Sequence, residues 1–219
     1  MKNIIITAGP TVEFIDNVRI ITNISSGKTA KIISEKLSQK NKIFYLYSKF
    51  VRHFPRKSKN IKSIEFNSFK SLNSTIKKLL NSLKIDAVIH LAAVSDYSPK
   101  YLIIGKKKYK LPIRKKISSN NSQITIIFKK NFKIIDRLKK YSKNKKIKII
   151  GFKLTSNASQ DEIIKAVKKL HADIVIHNDT SEISKSSHIF RVFKNNKLVK
   201  KLSNEKELSL YLEKTLEEL

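Results

Sequence analysis

The segment from position 22 to position 29, TNISSGKT, contains the residue types that surround a phosphate in nucleotide-binding loops. Its last three residues match the end of the pattern G-x-x-x-x-G-K-[ST], but Thr22 stands where the pattern has its first glycine. Such a loop must also follow a strand directly through a tight glycine turn, and the nearest strand candidate ends at about Ala8. The sequence therefore does not predict a Walker-type nucleotide site here.

The same segment retains the features of an anion site at the start of a helix. We expect a helix to open at about Ser25 or Ser26, within a long polar loop that begins at Gly9. Ser25, Ser26, Gly27 and Lys28 then bring together hydroxyl groups, free backbone N–H groups and the positive end of a helix dipole. A serine N-cap followed by a solvent-exposed lysine explains the pattern equally well. Spacing alone leaves both interpretations open.

The segment HLAAVSDYSP follows a predicted buried strand and is a second candidate for chemistry. Its small residues, Ala92 and Ala93, allow a flat ring or a phosphate to approach the backbone. Asp96 is suited to accept a ribose hydroxyl or a base amine, or to bind Mg²⁺. An aspartate that caps the following turn is an equally good explanation.

Lysines supply the third set of candidates. The runs RKKISSNN and FKKNFKII flank an irregular part of the chain, where cations on a mobile ribbon can neutralise charge at a phosphoryl centre. A solvated basic loop is the commoner origin of such runs. Lys165 and Lys169 share one predicted helical face, which favours an anionic partner, although a lysine-rich chain also produces such pairs by chance. His90, His171 and His177 lack metal-ligand spacing and receive no catalytic role.

These segments need a scaffold, and the sequence predicts an α/β fold with a Rossmann-like, doubly wound, mostly parallel sheet. Short β-branched runs alternate with apolar residues at helical spacing, as in strands joined by crossover helices. Ligands of such a sheet bind beyond the carboxyl ends of its strands, where the polar loops begin. The predicted strands are Asn3 to Thr7, Lys42 to Tyr47, Ile61 to Phe66, Asp86 to Leu91, Ile147 to Phe152 and Asp173 to His177.

The segment from about Tyr97 to Lys130 interrupts this alternation. It contains Pro99, Pro112 and the tract GKKKYKLPIRKK, followed by the alternating run QITIIFKK. We interpret it as a loop or ribbon laid onto the main sheet of one domain that spans residues 1–219. After the main sheet, two further strand-like runs precede a helix from about Asn204 to Leu219.

Composition limits the function classes. The chain has 219 residues, with 47 Lys and Arg against 17 Asp and Glu, and a formal net charge of +30. This charge suggests nucleic acid as a partner, but the lysines are spread over nearly every segment and Arg is scarce, so we expect the charge to attract small polyanions instead. The absence of Cys excludes a thiol nucleophile, a disulfide and a zinc-thiolate site. No run approaches membrane-spanning length, so the cytoplasm is the expected location.

Taken together, the motifs resemble one family, the phosphopantothenate-cysteine ligases of coenzyme A biosynthesis. The resemblance rests on ITAGPT, IDNVRIITNISSGK, HLAAVSDYSP, KISS, FKKNFKII, GFKL and ADIVIHND, which follow in the family order over nearly the whole chain. It is closest to the stand-alone bacterial form, without the flavin-dependent decarboxylase domain that precedes it in many bacteria. A separate decarboxylase is then a possible partner enzyme.

The resemblance implies a Rossmann-like domain with an inserted dimerisation ribbon, hence a homodimer, and a ligation in two steps with a nucleoside triphosphate and Mg²⁺. The carboxylate of phosphopantothenate first attacks the α-phosphorus, which gives an acyl nucleotidylate and pyrophosphate. The amine of cysteine then displaces the nucleotide and forms an amide. CTP is the expected nucleotide because of the bacterial character of the chain. The metal ligands are unknown.

The resemblance also assigns residues. Asn23 matches the asparagine that holds the activated acyl group, and Lys116 matches the lysine at the root of a flap that closes over the nucleotidylate. The anion loop comprises Gly9, Ser25, Ser26, Gly27 and Lys28. Nucleotide-binding positions are His90, Leu91, Ala92, Asp96, Lys116, Phe132, Lys133, Ile134, Ile135, Phe152, Lys165 and Lys169.

Two departures and two rivals accompany these assignments. Relatives often have Pro at the position of Phe132, and GFKL replaces GFAAET of the fused enzymes, which puts the roles of Phe132 and Lys153 in doubt.

The two rival functions are a basic nucleic-acid-binding module on the same scaffold and an NAD(P)-dependent reductase. The reductase is disfavoured because G-x-G-x-x-G does not follow the first strand, and because a Tyr-x-x-x-Lys pair in a suitable helix is also missing.

Overall fold

The computed structural model describes residues 1–184 and 187–218, and its centre is an eight-stranded sheet. Six strands of this sheet run parallel, and the last two are antiparallel at one edge. Its strands are β1 (Asn3–Ala8), β4 (Lys42–Ser48), β5 (Ile61–Phe66), β6 (Ala87–His90), β10 (Lys148–Thr155), β11 (Ile174–Asp179), β12 (Phe190–Lys194) and β13 (Lys197–Leu202).

The strand order is β13-β12-β11-β10-β6-β1-β4-β5, which is doubly wound. From β1 the chain moves outward through β4 and β5, returns to the other side of β1 at β6, and moves outward again through β10 and β11. The direction therefore reverses between β1 and β6, and a crevice opens at their carboxyl ends. This arrangement confirms the predicted fold class and identifies the region where a ligand is expected.

Helices cover both faces of the sheet because neighbouring strand residues point to opposite sides. On one face, Ile4 and Ile6 pack under α1 (Lys28–Leu37) and α5 (Glu205–Glu217). On the other face, Ile5 and Val88 pack under α2 (Phe69–Ser82) and α3 (Leu138–Tyr141), and α4 (Gln160–Lys168) packs on Val175. The six predicted parallel strands are confirmed, as are the strand-like runs and the helix near the end of the chain.

The predicted start of the first helix at Ser25 or Ser26 is wrong, because α1 begins at Lys28. Gly27 precedes it with a left-handed φ of 80°, and the carbonyl of Ser26 accepts N–H groups from Arg52 and His53 at 3.0 and 3.1 Å. A Cβ at Gly27 would lie 2.1 Å from Val51 Cγ2. The loop after β4 therefore packs on the anion loop, and only glycine fits where the helix begins.

The irregular segment forms a sheet of its own. In this ribbon, β7 (Tyr97–Ile104) pairs with β8 (Lys107–Lys110) on one side and with β9 (Thr125–Lys130) on the other. The prediction that the ribbon lies on the main sheet is wrong, because its apolar face packs on the loop after β1 instead. That loop contains the hairpin β2 (Val12–Phe14) and β3 (Ile20–Thr22), and the shared cluster includes Ile15, Leu102, Leu111 and Ile117.

Candidate functional site

Backbone pairing continues past the ends of β1 and β6 and forms the floor of the crevice. The carbonyl of Gly9 accepts the N–H of Ala93 at 3.0 Å, and the N–H of Thr11 donates to the carbonyl of Ala93 at 3.2 Å. The buried hydroxyl of Thr11 accepts the N–H of Ser95 at 2.9 Å. These bonds fix the small-residue segment HLAAVSD against the loop that leads to the anion loop.

Asn23 lies directly on this floor. Its Nδ2 donates to the carbonyls of Ala93 and Val94, both at 3.2 Å, while the residue itself remains exposed. Within residues 1–184 and 187–218, the structure gives its Oδ1 no hydrogen-bond partner. The structure therefore brings together Asn23 and the HLAAVSD segment, two motifs that are about seventy positions apart in the sequence.

His90 lies at the carboxyl end of β6, where its Nδ1 is 3.0 Å from Thr7 Oγ1. Thr7 Oγ1 also accepts the N–H of Ala92 at 2.9 Å, which ties the ring to the start of the small-residue segment. Burial lowers the pKa of His90 to about 4, which favours the neutral ring at neutral pH.

The anion loop owes its character to backbone groups, because its lysine is already paired. Lys28 Nζ lies 3.2 Å from Oε1 of Glu205, the buried first residue of α5. The hydroxyl of Ser26 weakly accepts the N–H of Lys28 at 3.4 Å, and the structure shows no side-chain bond of Ser25 among the described residues. Ser25, Ser26, Gly27 and Lys28 precede and begin α1, and Gly9 approaches them because Gly9 and Gly27 both face Val51. The Lys28 charge, however, is directed towards α5.

His188 contacts the same carboxylate, Glu205, that pairs with Lys28. Asn178 Nδ2 is 3.0 Å from His188 Nε2, so the His188 proton lies on Nδ1, from which it donates to Glu205 Oε1 at 3.2 Å. Burial lowers the pKa of His188, although Glu205 acts in the opposite direction. Burial also disfavours the charged form of Glu205, but hydrogen bonds, including those from His188 and Lys28, outweigh it and lower the pKa of Glu205.

Asp96 and the Phe132 turn lie on the ribbon side of the crevice. The Asp96 side chain is exposed, and its backbone carbonyl accepts the N–H of Asn131 at 2.8 Å. Phe132 packs edge-on against Phe69, and the guanidinium of Arg137 lies over its ring at 3.3 Å. The turn continues through Lys133, Ile134 and Ile135, of which Ile134 and Ile135 are buried. One face of the Phe132 ring is thus already covered by a cation.

Gly151 explains why this turn approaches the sheet closely. A Cβ at Gly151 would lie 2.6 Å from Ile135 Cδ1 and 2.8 Å from a Leu170 methyl group. Gly151 is also in register with His90 on the neighbouring strand. The next residue, Phe152, points to the opposite face, where it is half-buried against the core under α1 and α5.

Lys165 and Lys169 lie at the end of α4, apart from the anion loop. Lys165 is in the last turn of α4, and Lys169 is its C-cap. Two residues later, His171 Nδ1 contacts Asp136 Oδ1 at 3.0 Å, directly after the Phe132 turn. The structure therefore brings the end of α4 beside the predicted nucleotide turn rather than beside Asn23.

Lys116 lies between β8 and β9 at the root of the ribbon. Its side chain is exposed, and it forms no ion pair with any described residue. Its neighbour Ile117 is buried in the cluster that joins the ribbon to the loop after β1. The cation is thus free, while the backbone beside it is fixed.

A buried polar network beside the crevice was not predicted from the sequence. Glu13 Oε1 accepts the N–H of Phe69 and Oε2 accepts the Ser98 hydroxyl, both at 2.9 Å. Asn131 Nδ2 donates to Ser98 Oγ at 2.8 Å and to the carbonyl of Ser95 at 3.0 Å. Burial raises the pKa of the Glu13 carboxyl despite the hydrogen bonds from Phe69 and Ser98. Glu13 lies between the motifs ITAGPT and IDNVRIITNISSGK, and no local spacing reveals these distant partners.

A protein-built metal cage is not found among the described residues, which contain no group of three His, Asp or Glu side chains placed to hold an ion. The exposed carboxylate of Asp96 is suited to Mg²⁺ that is held mainly by substrate phosphates, as Mg²⁺ is in many nucleotide enzymes. Among the described helices, none is long and apolar enough to span a membrane.

Comparisons with known proteins give a family match and related sequences. The family model described as "DNA/pantothenate metabolism flavoprotein C-terminal domain" matches residues 1–215. The coenzyme A biosynthesis bifunctional protein CoaBC of Thermococcus kodakarensis is 29% identical over 182 residues, which are 81% of this chain and 41% of that protein. The chain therefore spans less than half the length of this curated relative.

Solved structures share the fold. The DNA/pantothenate metabolism flavoprotein from Streptococcus pneumoniae superposes with a TM-score of 0.86 at 28% identity, covering 100% of this chain and 99% of that chain. A histidine-to-alanine variant of Cab2, solved as a complex with phosphopantothenate-cysteine, has a TM-score of 0.75 at 16% identity and covers 99% of this chain and 88% of that chain. At that identity the likeness to Cab2 shows the fold alone.

Proposed function

Because the chain belongs to the family of the DNA/pantothenate metabolism flavoprotein C-terminal domain, we propose that it joins phosphopantothenate to cysteine in coenzyme A biosynthesis. The names of the CoaBC relatives, which are coenzyme A biosynthesis proteins, support this proposal. The proposed nucleotide is CTP and the proposed intermediate is an acyl cytidylate, with release of CMP and pyrophosphate.

The observation that carries the proposal is the position of Asn23. Its carboxamide bridges the anion loop and the Ala93–Val94 turn at the switch point of the sheet. A group bound there lies beside the segment that leads from Ala93 to Asp96, and we expect the Phe132 turn and the flap to complete the site. Such a site could hold both an activated carboxyl group and a nucleotide.

The first proposed step needs charge neutralisation. A carboxylate is a poor acyl donor until its oxygen becomes part of a good leaving group, and attack on the α-phosphorus concentrates negative charge. Lys116 supplies an unpaired cation from the flap. The turn from Phe132 to Ile135 and the buried ring of His90 bound the space for the nucleotide. Mg²⁺, when bound with the triphosphate, would offset further charge beside Asp96.

In the second proposed step, Asn23 stabilises the charge that develops on the acyl oxygen. When the cysteine amine attacks the acyl carbon, negative charge moves to the acyl oxygen, and an amide N–H at that oxygen stabilises it. The carbonyls of Ala93 and Val94 hold the carboxamide in place through Nδ2, and one of these two bonds must be released before an N–H can reach the acyl oxygen. The CMP leaves with the electron pair of the broken acyl–oxygen bond, and the amine loses a proton.

The proposed assembly is a homodimer through the ribbon, which leaves Ile127, Phe128 and Tyr109 exposed. A separate decarboxylase would consume the product, because CoaBC relatives carry a second activity in the same protein. All proposed substrates are small and water-soluble, which suits the cytoplasm.

Pyrophosphate release tests the activity directly. With phosphopantothenate, Mg²⁺ and CTP, we expect release without cysteine, limited to one equivalent per site, and multiple turnovers once cysteine is added. ATP in place of CTP is expected to give a much lower rate. Absence of release with either nucleotide would reject the ligase, whereas equal rates would reject only the choice of CTP.

A further inference from the structure

Glu13 is a buried carboxylate whose two oxygens accept hydrogen bonds from two segments that are distant in the sequence. Oε1 accepts the backbone N–H of Phe69, the first residue of α2, at 2.9 Å. Oε2 accepts the hydroxyl of Ser98, near the start of β7, at 2.9 Å. Neither of the two proposed chemical steps uses this carboxylate, so its burial needs another explanation.

Ser98 in turn contacts Asn131, which directly precedes the Phe132 turn. Asn131 Nδ2 donates to Ser98 Oγ at 2.8 Å and to the carbonyl of Ser95 at 3.0 Å. The backbone N–H of Asn131 donates to the carbonyl of Asp96 at 2.8 Å. Side chain and backbone together therefore tie the Phe132 turn to the segment that carries Asp96.

Phe69 gives Glu13 a second route to the same turn. While its N–H donates to Glu13, its ring packs edge-on against the ring of Phe132, with 4.9 Å between the ring centroids. The N-cap Ser68 accepts a different N–H, that of Ser71. Because the first N–H groups of a helix have no partner within the helix, Glu13 stabilises the start of α2 under Phe132.

The bonds of this network lie behind the proposed nucleotide pocket. Glu13 and Ser95 are buried, whereas the Asp96 side chain is exposed. Among the described residues, the structure gives the Asp96 carboxylate no hydrogen bond or ion pair. The place of Asp96 therefore depends on the backbone around it, which Asn131 holds on one side. On the other side, the N–H of Ser95 donates to Thr11 Oγ1 at 2.9 Å.

We propose that Glu13, Ser98 and Asn131 are positioning residues for nucleotide binding. They set the separation between Asp96 and the Phe132 turn, and thereby the fit of a nucleotide between these two segments. The proposal rests on the proposed function, in which both segments border the nucleotide.

The expected effect is on nucleotide affinity rather than on the rate of the bound complex. Asn23 is held by the carbonyls of Ala93 and Val94, and the root of the flap is held by the buried side chain of Ile117. The groups proposed to act on the reacting atoms are thus fixed by other contacts. A change that removes binding equally from the ground state and the transition state raises KM and leaves kcat unchanged.

Three variants interrupt the network at different points. Asn131→Ala removes the side-chain bond to the Asp96 segment, Ser98→Ala removes the link behind it, and Glu13→Ala removes the support of both Ser98 and Phe69. Glu13→Gln is the conservative variant, because its carbonyl oxygen can accept the N–H of Phe69 while its NH₂ group donates to Ser98 Oγ. It is expected to restore most of what Glu13→Ala loses.

The matched control is Asp86→Ala. Asp86 is also a carboxylate that accepts a backbone N–H from a distant segment, that of Asn3 at 2.8 Å. It directly precedes β6, at the end of the sheet opposite the crevice. The control separates a general loss of stability from loss of the network.

The first measurement is amide hydrogen exchange in the substrate-free protein, with the N–H groups of Asn131 and Phe69 as reporters. Exchange at Asn131 is expected to be about tenfold faster in Glu13→Ala and in Ser98→Ala, whereas exchange at Phe69 speeds up only in Glu13→Ala. Asp86→Ala should change neither reporter. Unchanged exchange at Asn131 in both variants would overturn the network, and this outcome does not depend on ligase activity.

The second measurement is steady-state kinetics with CTP, phosphopantothenate and cysteine. We expect the KM for CTP to rise about threefold to tenfold in Ser98→Ala and Asn131→Ala, with kcat and the KM for cysteine unchanged. A lower kcat at an unchanged KM for CTP, or an equal rise of this KM in Asp86→Ala, would overturn the assignment. Lack of turnover of CTP and ATP by the unchanged protein would reject the proposed function and this role together, whereas an unchanged KM in active variants would overturn the role alone.

Discussion

The two sides of the crevice use lysine in opposite ways. On the anion-loop side, the ammonium of Lys28 is paired with buried Glu205, and His188 completes the link to β11. On the flap side, Lys116 is exposed and forms no ion pair with a described residue, while the backbone beside it is fixed. Charge alone does not separate functional from structural lysines in a chain of net charge +30. Lys28 and Lys116 differ in whether a carboxylate already neutralises the ammonium group.

The largest effect is expected when the lysine of the flap side is removed. Lys116→Ala removes the unpaired cation from the proposed phosphoryl centre, so we expect pyrophosphate formation to slow about a hundredfold to a thousandfold. The measurement is single-turnover pyrophosphate release with CTP and phosphopantothenate. Lys106→Ala, an exposed lysine at the ribbon turn, is the control. Equal losses in the two variants would mean that the ribbon acts only through its total charge.

The next largest effect is expected for Asn23, which lies on the floor between the two sides. Asn23→Ala removes the carboxamide that bonds Ala93 and Val94, so amide formation is expected to slow about a hundredfold while pyrophosphate formation stays largely intact. Quenched reactions should then accumulate the acyl nucleotidylate. Asn17→Ala, an exposed asparagine in the same loop, is the control. Equal loss of both steps in Asn23→Ala would contradict the assigned role.

A smaller effect tests the anion-loop side. Glu205→Gln leaves Lys28 and His188 without a charged partner, and we expect it to lower the free energy of unfolding by about 1–2 kcal/mol at neutral pH. The pKa of Glu205 is lowered in the folded state, so its contribution is present above the ordinary glutamate pKa and is lost as pH falls through the lower folded value.

Urea unfolding at neutral and acid pH measures this difference. The stability gap between Glu205→Gln and the unchanged protein should close in acid, whereas Glu65→Gln, at an exposed position of β5, should show no gap at either pH. A gap that persists at acid pH would mean that Glu205 stabilises by packing rather than by charge. In that case the two sides of the crevice would not differ as we describe.

The sequence predicted the sheet well because hydrophobic periodicity determines strands and helices locally. Runs such as NIIIT and DAVIHL carry enough β-branched residues to be recognised alone. The start of α1 was missed because Gly27 is constrained by Val51, a residue of another loop. The ribbon was predicted, but its packing on the loop after β1 was missed because it depends on contacts between Ile15 and residues such as Ile117, which are about a hundred positions apart.

The site was only partly predictable for the same reason. Asp96 was chosen from its position after a buried strand, whereas the roles of Asn23 and Lys116 came from the resemblance. The structure places Asn23 on the HLAAVSD floor through contacts that no local pattern encodes. The pairing of Lys28 with Glu205 and of Asp16 with Ile117 depends on partners far along the chain. A motif names the residue types at a site, but it does not tell which of their charges are already neutralised.

The smallest expected effect concerns Lys169 at the end of α4. It is exposed, like Lys116, but it lies beside the Phe132 turn rather than on the flap, and its helix end is tied to that turn through His171 and Asp136. An exposed cation of this kind contributes about 0.2–1 kcal/mol to a charged contact, so Lys169→Ala should weaken CTP binding about two- to fivefold.

Titration calorimetry with CTP and Mg²⁺ measures the change, with Lys200→Ala on β13 as the control. The effect should also shrink at high salt, because screening acts on exposed charges. A loss as large as that of Lys116→Ala would place the reacting phosphates at α4 and reverse the roles of the two exposed lysines.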